Sequence, residues 1–247
     1  MQFVLIPDAT VGTTPGNDPI ALEQQLLARA SEPVAQLWQS GTALVVPRSY
    51  RQFAAFDAAC AQFAAQGCPV RVRPSGGGLV PLDAGVLNVS LAYPLAQQLE
   101  GAVERVYHHL CQLLVDALQP LGVDAHRQAV AGSFCDGRFN LATGRGPHAR
   151  KIAGTAQYWR VQRTAEGASG RYRVLAHALL LVAPDLDALH RRANAFEALL
   201  GSDRRYARDK TASVAELCPS LSGAALMAEV RLRLRELIAQ SSPPAAR

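Results

Sequence analysis

Apolar residues return along this chain in two rhythms. Between 97 and 119 they recur every three or four positions. Leu99, Val103, Val106, Leu110, Leu113, Leu114 and Ala117 form one stripe, which predicts a helix that Pro120 and Gly122 stop. The same period marks a helix at 222–239, with Leu226, Val230, Leu234 and Leu237 on one face, and another at 186–200 with Asp185 as its N-cap. A helix from 18 to about 30 is expected from Asp18 as N-cap and Pro19 at the first helical position. Phe53, Phe56, Cys60 and Phe63 keep helical spacing behind a capping-box pattern at Ser49 and Gln52, and Gly67 ends that run. Short apolar or alternating runs predict strands at 2–6, 43–46, 70–73, 86–92, 129–135, 150–161 and 174–182. The runs at 129–135 and 150–161 are expected to be neighbouring strands joined by a polar loop. Strands cluster with hairpin-sized gaps and helices lie between clusters. That order favours an α+β fold with a mixed, largely antiparallel sheet flanked by helices. The length suits one domain over 1–247, and the Ser-Ser-Pro-Pro tail at 241–247 is expected to be disordered.

Composition narrows the function. Hydrophobic residues make up 49% and charged residues 18%, enough for a large core and too little charge for long disordered tracts. The net charge of +5 favours acidic partners, but it is spread along the chain without a lysine run. With no recognisable nucleic-acid module, nucleic acid is not expected as a partner. Five cysteines, an odd count with no CxxC pair, argue against a disulfide framework and a zinc site, and the six histidines lack metal spacing. No metal is expected, and a reducing cytoplasm is the natural setting. The N-terminus lacks the basic stretch and long apolar run of a signal peptide. The longest apolar run, Ala178 to Ala183, is far too short to cross a bilayer, so no membrane partner is expected.

Two segments carry chemistry. In Arg73-Pro-Ser75-Gly76-Gly77-Gly78 three glycines remove every Cβ from a turn, so a ligand can lie against bare backbone and N–H groups can hold an oxygen or an anion. The plainer reading is a tight hairpin turn with a solvated arginine at a strand edge. Cys135, in Gly132-Ser-Phe-Cys-Asp-Gly137, has small neighbours and sits on no apolar stripe. Cys60 and Cys111 lie on apolar helical faces and fit buried core positions, while Cys68 and Cys218 precede prolines and read as loop residues. Cys135 is therefore the candidate nucleophile, reacting as a thiolate that a nearby cation would favour. Lys151, in Arg150-Lys-Ile-Ala-Gly154-Thr155-Ala156-Gln157, is the candidate cation if the two strands pair. It would stabilise the thiolate and a developing oxyanion, and Gly154 and Ala156 would keep the adjacent surface small enough for an acyl chain. A Cys-His dyad with His148 or His177 fits by residue type, but both read as structural, His177 inside a strand and His148 in a polar loop. Arg231, Arg233 and Arg235 form a basic stripe that is expected to be a solvated face, with partner docking as the lesser option.

These segments resemble, in order, those of the lipoate/biotin protein ligase superfamily. Asp18-Pro-Ile-Ala-Leu-Glu-Gln-Gln-Leu-Leu27 resembles its first helix, Arg73 to Ser90 its glycine-rich ligand loop and following strand, Arg150 to Gln157 its lysine motif, and Lys210-Thr-Ala-Ser-Val214 the usual end of its catalytic domain. The resemblance implies a class II ligase/biotinyl-lipoyl transferase-like fold with a core over 18–215, a C-terminal helix at 216–240 and then the tail. Cys135 upstream of the lysine motif resembles the cysteine–lysine octanoyltransferases and the lipoyl/octanoyl amidotransferases. By that resemblance Cys135 is the nucleophile, Lys151 binds the acyl carbonyl, and Arg73, Ser75, Gly76, Gly77, Gly78, Gly154, Thr155 and Ala156 bind the substrate. The substrate would be an octanoyl or lipoyl group, with no separate cofactor. Its donor would be an acyl carrier protein or another acyl donor, and its acceptor an acidic lipoyl-domain protein. The alternatives are an ATP-dependent lipoate-protein ligase, which would need ATP and Mg and leave Cys135 incidental, and a non-catalytic binder of lipoylated partners. Two departures stand out. Leu82 occupies the place where many members carry a histidine, and the Gly144–Ala149 loop is longer than usual.

Overall fold

The computed structural model describes residues 1–12, 18–95, 101–164 and 167–244. In chain order its elements are β1 (Val4–Leu5), β2 (Ala9–Val11), α1 (Pro19–Arg29), β3 (Val34–Ser40), β4 (Ala43–Pro47), α2 (Phe56–Ala65), β5 (Val70–Arg73), β6 (Val80–Leu82) and β7 (Val86–Leu95). They continue with α3 (Ala102–Leu118), β8 (His126–Arg127), β9 (Leu141–Thr143), β10 (Arg150–Thr164), β11 (Gly167–Leu181), α4 (Leu186–Leu199), α5 (Val214–Leu217) and α6 (Gly223–Gln240). The main sheet runs β1-β3-β7-β11-β10-β9-β8, with β2 also beside β3, and a smaller sheet runs β5-β4-β6. Among the described strands, the β1–β3, β2–β3 and β4–β5 pairs are parallel and the other pairs antiparallel. This is the expected α+β fold with a largely antiparallel mixed sheet and flanking helices.

Strand alternation sorts the main sheet into two faces. Leu87, Val89, Leu91 and Tyr93 of β7, with Val174, Ala176 and Leu180 of β11, pack under α3 and α6. The α3 stripe of Val106, Leu110, Leu114 and Ala117 is essentially inaccessible to water. Burying each such leucine or valine contributes roughly 1.5–3 kcal/mol, so this face anchors the fold. The opposite face is polar near its centre. Ser90 and Asn88 of β7 lie beside His177 and Leu179 of β11, and α1 covers one end through Leu26 and Leu27 on Ala92 and Leu175. A second core fills the space between the small sheet, α2 and α4, around Leu44, Val46, Phe63 and Phe196.

Several expectations are corrected. Residues 129–135 are turns, not a strand: Gly132 has φ +80°, Ser133 Oγ donates to Val130 O, and the partner of β10 on that side is the short β9 instead. The glycine turn is not a hairpin, because β5 and β6 both pair with β4 and the turn crosses over it. β3, which no periodicity flagged, is the sheet's link between β1 and β7. The residues after Pro47 form a 3₁₀ turn over Arg48–Gln52 without a side-chain cap, and α2 begins only at Phe56. Val103 is exposed rather than on the α3 stripe, and Leu99 lies outside the described residues. Cys68 and Cys218 are buried, whereas Cys60 is only half-buried, its thiol pushed up to about 11 by desolvation and Asp57.

The region 216–240, expected as one C-terminal helix, starts in the end of α5, which a Ser213–Glu216 capping box opens, and its helix proper, α6, begins at Gly223. The arginine stripe is engaged within the chain. Arg231 and Arg235 both bind Asp8 in the β1–β2 connection, Arg231 also donates to Gln39, and Arg233 pairs with Glu229. Phe3 N–H donates to Ser241 O, so the tail is tied down at its first residue, and 245–247 lie outside the described residues. No helix among the described residues is long and apolar enough to cross a membrane.

Candidate active site

Cys135 sits on a turn rather than a strand, and it is the one non-glycine residue with positive φ (48°) among the described residues. Single residues in this left-handed region are costly unless their surroundings impose them. Here the Cys135 carbonyl is held by three donors: Gly137 N–H at 2.9 Å, Asn140 Nδ2 at 2.7 Å and Lys151 Nζ at 2.9 Å. Lys151 Nζ also donates to Phe134 O. The turn thus presents Cys135 Sγ to the glycine loop, where Gly78 N–H points at the sulfur at 3.1 Å.

Gly77 is required at that contact. Its φ is +105°, and a Cβ there would lie 2.6 Å from Cys135 Sγ. Arg73, an expected substrate-binding residue that the plainer reading left solvated, is 4% exposed and braces the loop. Its guanidinium donates to Val45 O at 3.1 Å, Gly76 O at 3.0 Å and Gly78 O at 2.7 Å. Bonding Gly76 and Gly78 by their carbonyls leaves the Gly78 N–H turned toward the sulfur. Burial lowers the Arg73 pKa, opposed by the negative charges that Cys135 and Glu23 can carry.

Lys151 reaches the site by a different route from the one expected. In β10, Gly154 and Ala156 lie opposite Leu179 and His177, on the cavity face. Strict alternation would put Lys151 on the other face. A β-bulge intervenes: β9 advances one residue, from Ala142 to Leu141, while β10 advances two, from Lys151 to Ala153. Ile152 and Ala153 both enter the helix-side core and Lys151 turns into the cavity. The amine is 1% exposed, and its bonds go to the carbonyls of residues 134 and 135. Burial pushes its pKa down to about 8; Cys135 and Asp136 oppose that shift, and Arg73 adds to it.

Two spaces meet at Cys135. One is a cavity of about 550 Å³, mouth included, with apolar walls from Ile20, Trp38, Val80, Leu82, Ala178 and Leu179 and with Lys151, Gly154, Thr155 and Ala156 along β10. Leu82, at the position where a histidine was noted as missing, is a buried wall of this cavity. The other is an outer groove of about 850 Å³, open to solvent, bounded by Gly77, Gly78, Asp136, Arg204, Arg205 and Tyr206. Of the expected site residues, Cys135, Lys151, Arg73, Gly154, Thr155 and Ala156 line the cavity, Gly77 and Gly78 face the groove, and Gly76 acts through its carbonyl. Thr155 Oγ1 is held by Phe139 O at 2.7 Å.

Sequence reasoning missed the polar wall of the cavity. Glu23, on α1 and 4% exposed, accepts from His177 Nδ1 at 2.6 Å and from Ser90 Oγ at 2.9 Å. Trp38 Nε1 donates to Ser90 Oγ, and His177 Nε2 lies within hydrogen-bond distance of Ser75 Oγ at 3.2 Å. Ser75 thus belongs to the site through His177 rather than by facing the ligand space. The readable signals were a carboxylate on the buried stripe Pro19, Glu23, Leu26, Leu27 and a histidine alternating with Leu175 and Leu179 on a central strand.

Comparison with known proteins bears on this geometry. A family model described as the lipoyl protein ligase A/B catalytic domain matches residues 15–238. The chain is similar to the uncharacterized protein H16_B0148 of Cupriavidus necator, 51% identical over 257 residues, covering 99% of this chain and all of that one. It is also similar to an octanoyl-[GcvH]:protein N-octanoyltransferase of Kyrpidia tusciae, 36% identical over 159 residues, 64% of this chain and 53% of that protein. The match thus spans about half the length of that transferase. Among solved structures, the fold resembles a lipoate protein ligase of Thermoplasma acidophilum with bound lipoic acid, with a TM-score of 0.65 at 21% identity over 97% of this chain and 86% of that one.

Proposed function

The chain belongs to the lipoyl protein ligase A/B catalytic-domain family, and on that premise we propose that it is a protein acyltransferase that carries an octanoyl or lipoyl group as a thioester on Cys135 and passes it to a lysine of a lipoyl-domain protein. The observation that supports this reading best is the placement of Cys135 Sγ at the junction of an apolar cavity and an open polar groove, with the Gly78 amide on the sulfur. The apolar cavity suits an acyl chain. The groove leaves room for the arm of a donor and then for the acceptor lysine.

In the first half-reaction Sγ attacks the acyl carbonyl of the donor, a carrier-protein thioester or an octanoylated protein. The C–S bond to Cys135 forms, the bond to the donor breaks, and the departing sulfur or nitrogen takes a proton. As negative charge moves from sulfur to the carbonyl oxygen, the Gly78 N–H is placed to follow it. With its pKa near 8, Lys151 is partly neutral at physiological pH, which suits an amine that accepts the thiol proton and returns it to the leaving group. In the second half-reaction the acceptor lysine attacks as the free amine, the amide forms and the Cys135 sulfur leaves. Net positive charge favours an acidic acceptor.

Intact-protein mass spectrometry tests the proposal. Octanoyl donors should add one octanoyl group to the wild type and none to Cys135→Ala, and the adduct should disappear on adding an apo lipoyl-domain protein. An ATP-dependent product that survives Cys135→Ala would instead assign the chain to the adenylating ligases of the family.

A further inference from the structure

Behind the glycine loop lies a charged group that the reaction above does not use. Glu197, on α4, is fully buried. Its Oε1 accepts the hydroxyl protons of Tyr50 at 2.5 Å and Tyr206 at 2.6 Å, while its Oε2 is sealed from water with no partner. A buried carboxylate with an orphan oxygen destabilises a fold, so its position calls for a reason. The Tyr50 hydroxyl is used to capacity. It donates to Glu197 and accepts from Leu79 N–H at 3.3 Å and from Arg204 Nη1 at 2.8 Å. Leu79 follows the Gly78 whose amide points at Cys135 Sγ. Tyr206 packs against Phe134, with ring centroids 5.2 Å apart, and Phe134 precedes Cys135 and gives Lys151 its carbonyl. One carboxylate therefore grips both halves of the site, the loop that carries the amide donor and the turn that carries the thiol.

We propose that Glu197, through Tyr50 and Tyr206, is a positioning residue that holds the glycine loop and the Cys135 turn in the register where the Gly78 amide meets the sulfur. The proposal rests on Cys135 being the reactive thiol, but not on any particular acyl substrate. Arg73 cannot do this alone, because its three bonds all lie within the small sheet and its loop and none reaches the cysteine turn. Tyr50→Phe keeps the buried ring and removes the hydroxyl that joins Glu197 to Leu79.

The test is alkylation of Cys135 by iodoacetamide across pH, followed by peptide mass mapping to separate it from the other four cysteines. It needs no donor or acceptor. Tyr50→Phe should slow Cys135 alkylation near neutral pH by about tenfold, the scale of one hydrogen bond, and displace its pH profile upward. Glu197→Leu, which removes the oxygen that both hydroxyls bond, should move both in the same direction. Val230→Ala, which opens the core under α6, controls for lost stability and should lower Tm without altering the profile. Profiles for Tyr50→Phe and Glu197→Leu that superimpose on the wild type would overturn the proposal, as would an equal displacement by Val230→Ala. Should Cys135→Ala retain acyl transfer, the proposed function would fall while this result kept its meaning.

Discussion

Replacing Lys151 with methionine separates what the buried amine does for function from what it does to stability. The side chain is 1% exposed, and its pKa falls from 10.5 to about 8, mainly through burial. At about 1.4 kcal/mol per pH unit, the ammonium form lowers stability at pH 7 by roughly 3 kcal/mol. Methionine of similar length removes that cost but leaves the Phe134 carbonyl without this donor, a loss of about 1–3 kcal/mol. The Cys135 carbonyl keeps Gly137 and Asn140. The two effects nearly cancel, so Lys151→Met should fold with a stability within about 2 kcal/mol of the wild type at pH 7. Between pH 8 and 10.5 the folded wild type has released the lysine proton and the unfolded chain still holds it, so wild-type stability gains with rising pH in that window. The variant has no such contribution. Urea denaturation at pH 7 and pH 10, followed by tryptophan fluorescence, should show the wild type gaining roughly 2–3 kcal/mol on the variant, which itself has lost acyl transfer. A difference that stays flat across that range would refute the reasoning.

Other substitutions probe the remaining parts. Gly77→Ala should cut Cys135 acylation by at least about tenfold and cost roughly 1–3 kcal/mol, because it meets both a positive φ and a 2.6 Å approach to the sulfur; unchanged acylation would show that the loop gives way freely. Arg73→Lys keeps the charge but cannot match a planar fork on three carbonyls, and acylation should fall while the chain remains folded by circular dichroism. Asp8→Ala removes the partner of both Arg231 and Arg235 and should lower stability by about 1 kcal/mol without touching turnover, as measured by urea midpoint and acyl transfer.

Much of the fold was legible because helices and the central strands carry their burial pattern locally. The α3 stripe from Val106 to Ala117, the α6 stripe of Leu226, Val230 and Leu234 (continued by Ile238 rather than the expected Leu237), the Asp18 and Asp185 caps and the apolar run of β11 sit where the sequence pattern placed them. β3 escaped because buried polar residues break the apolar pattern of a core strand: Trp38 lines the cavity, while Gln36 donates to Pro7 O and Ser40 to Gly41 O. The 129–135 segment misled because Ala129, Val130 and Phe134 are apolar enough for a strand, while local bonds from Ser133 and Asn140 fold it into turns and the distant Lys151 fixes them.

Sequence alone determined which residue types the site would contain: a thiol with small neighbours, a glycine turn that accepts a close approach, and an amine on a strand. Their meeting was decided in three dimensions. Alternation along β10 would have sent Lys151 to the helix side, and only the bulge at Ile152, set by pairing with β9, turns it toward the cysteine. The burial of Arg73, Glu23 and Glu197 was likewise invisible, since desolvation depends on what other segments pack over a charge and not on the residues beside it in the chain.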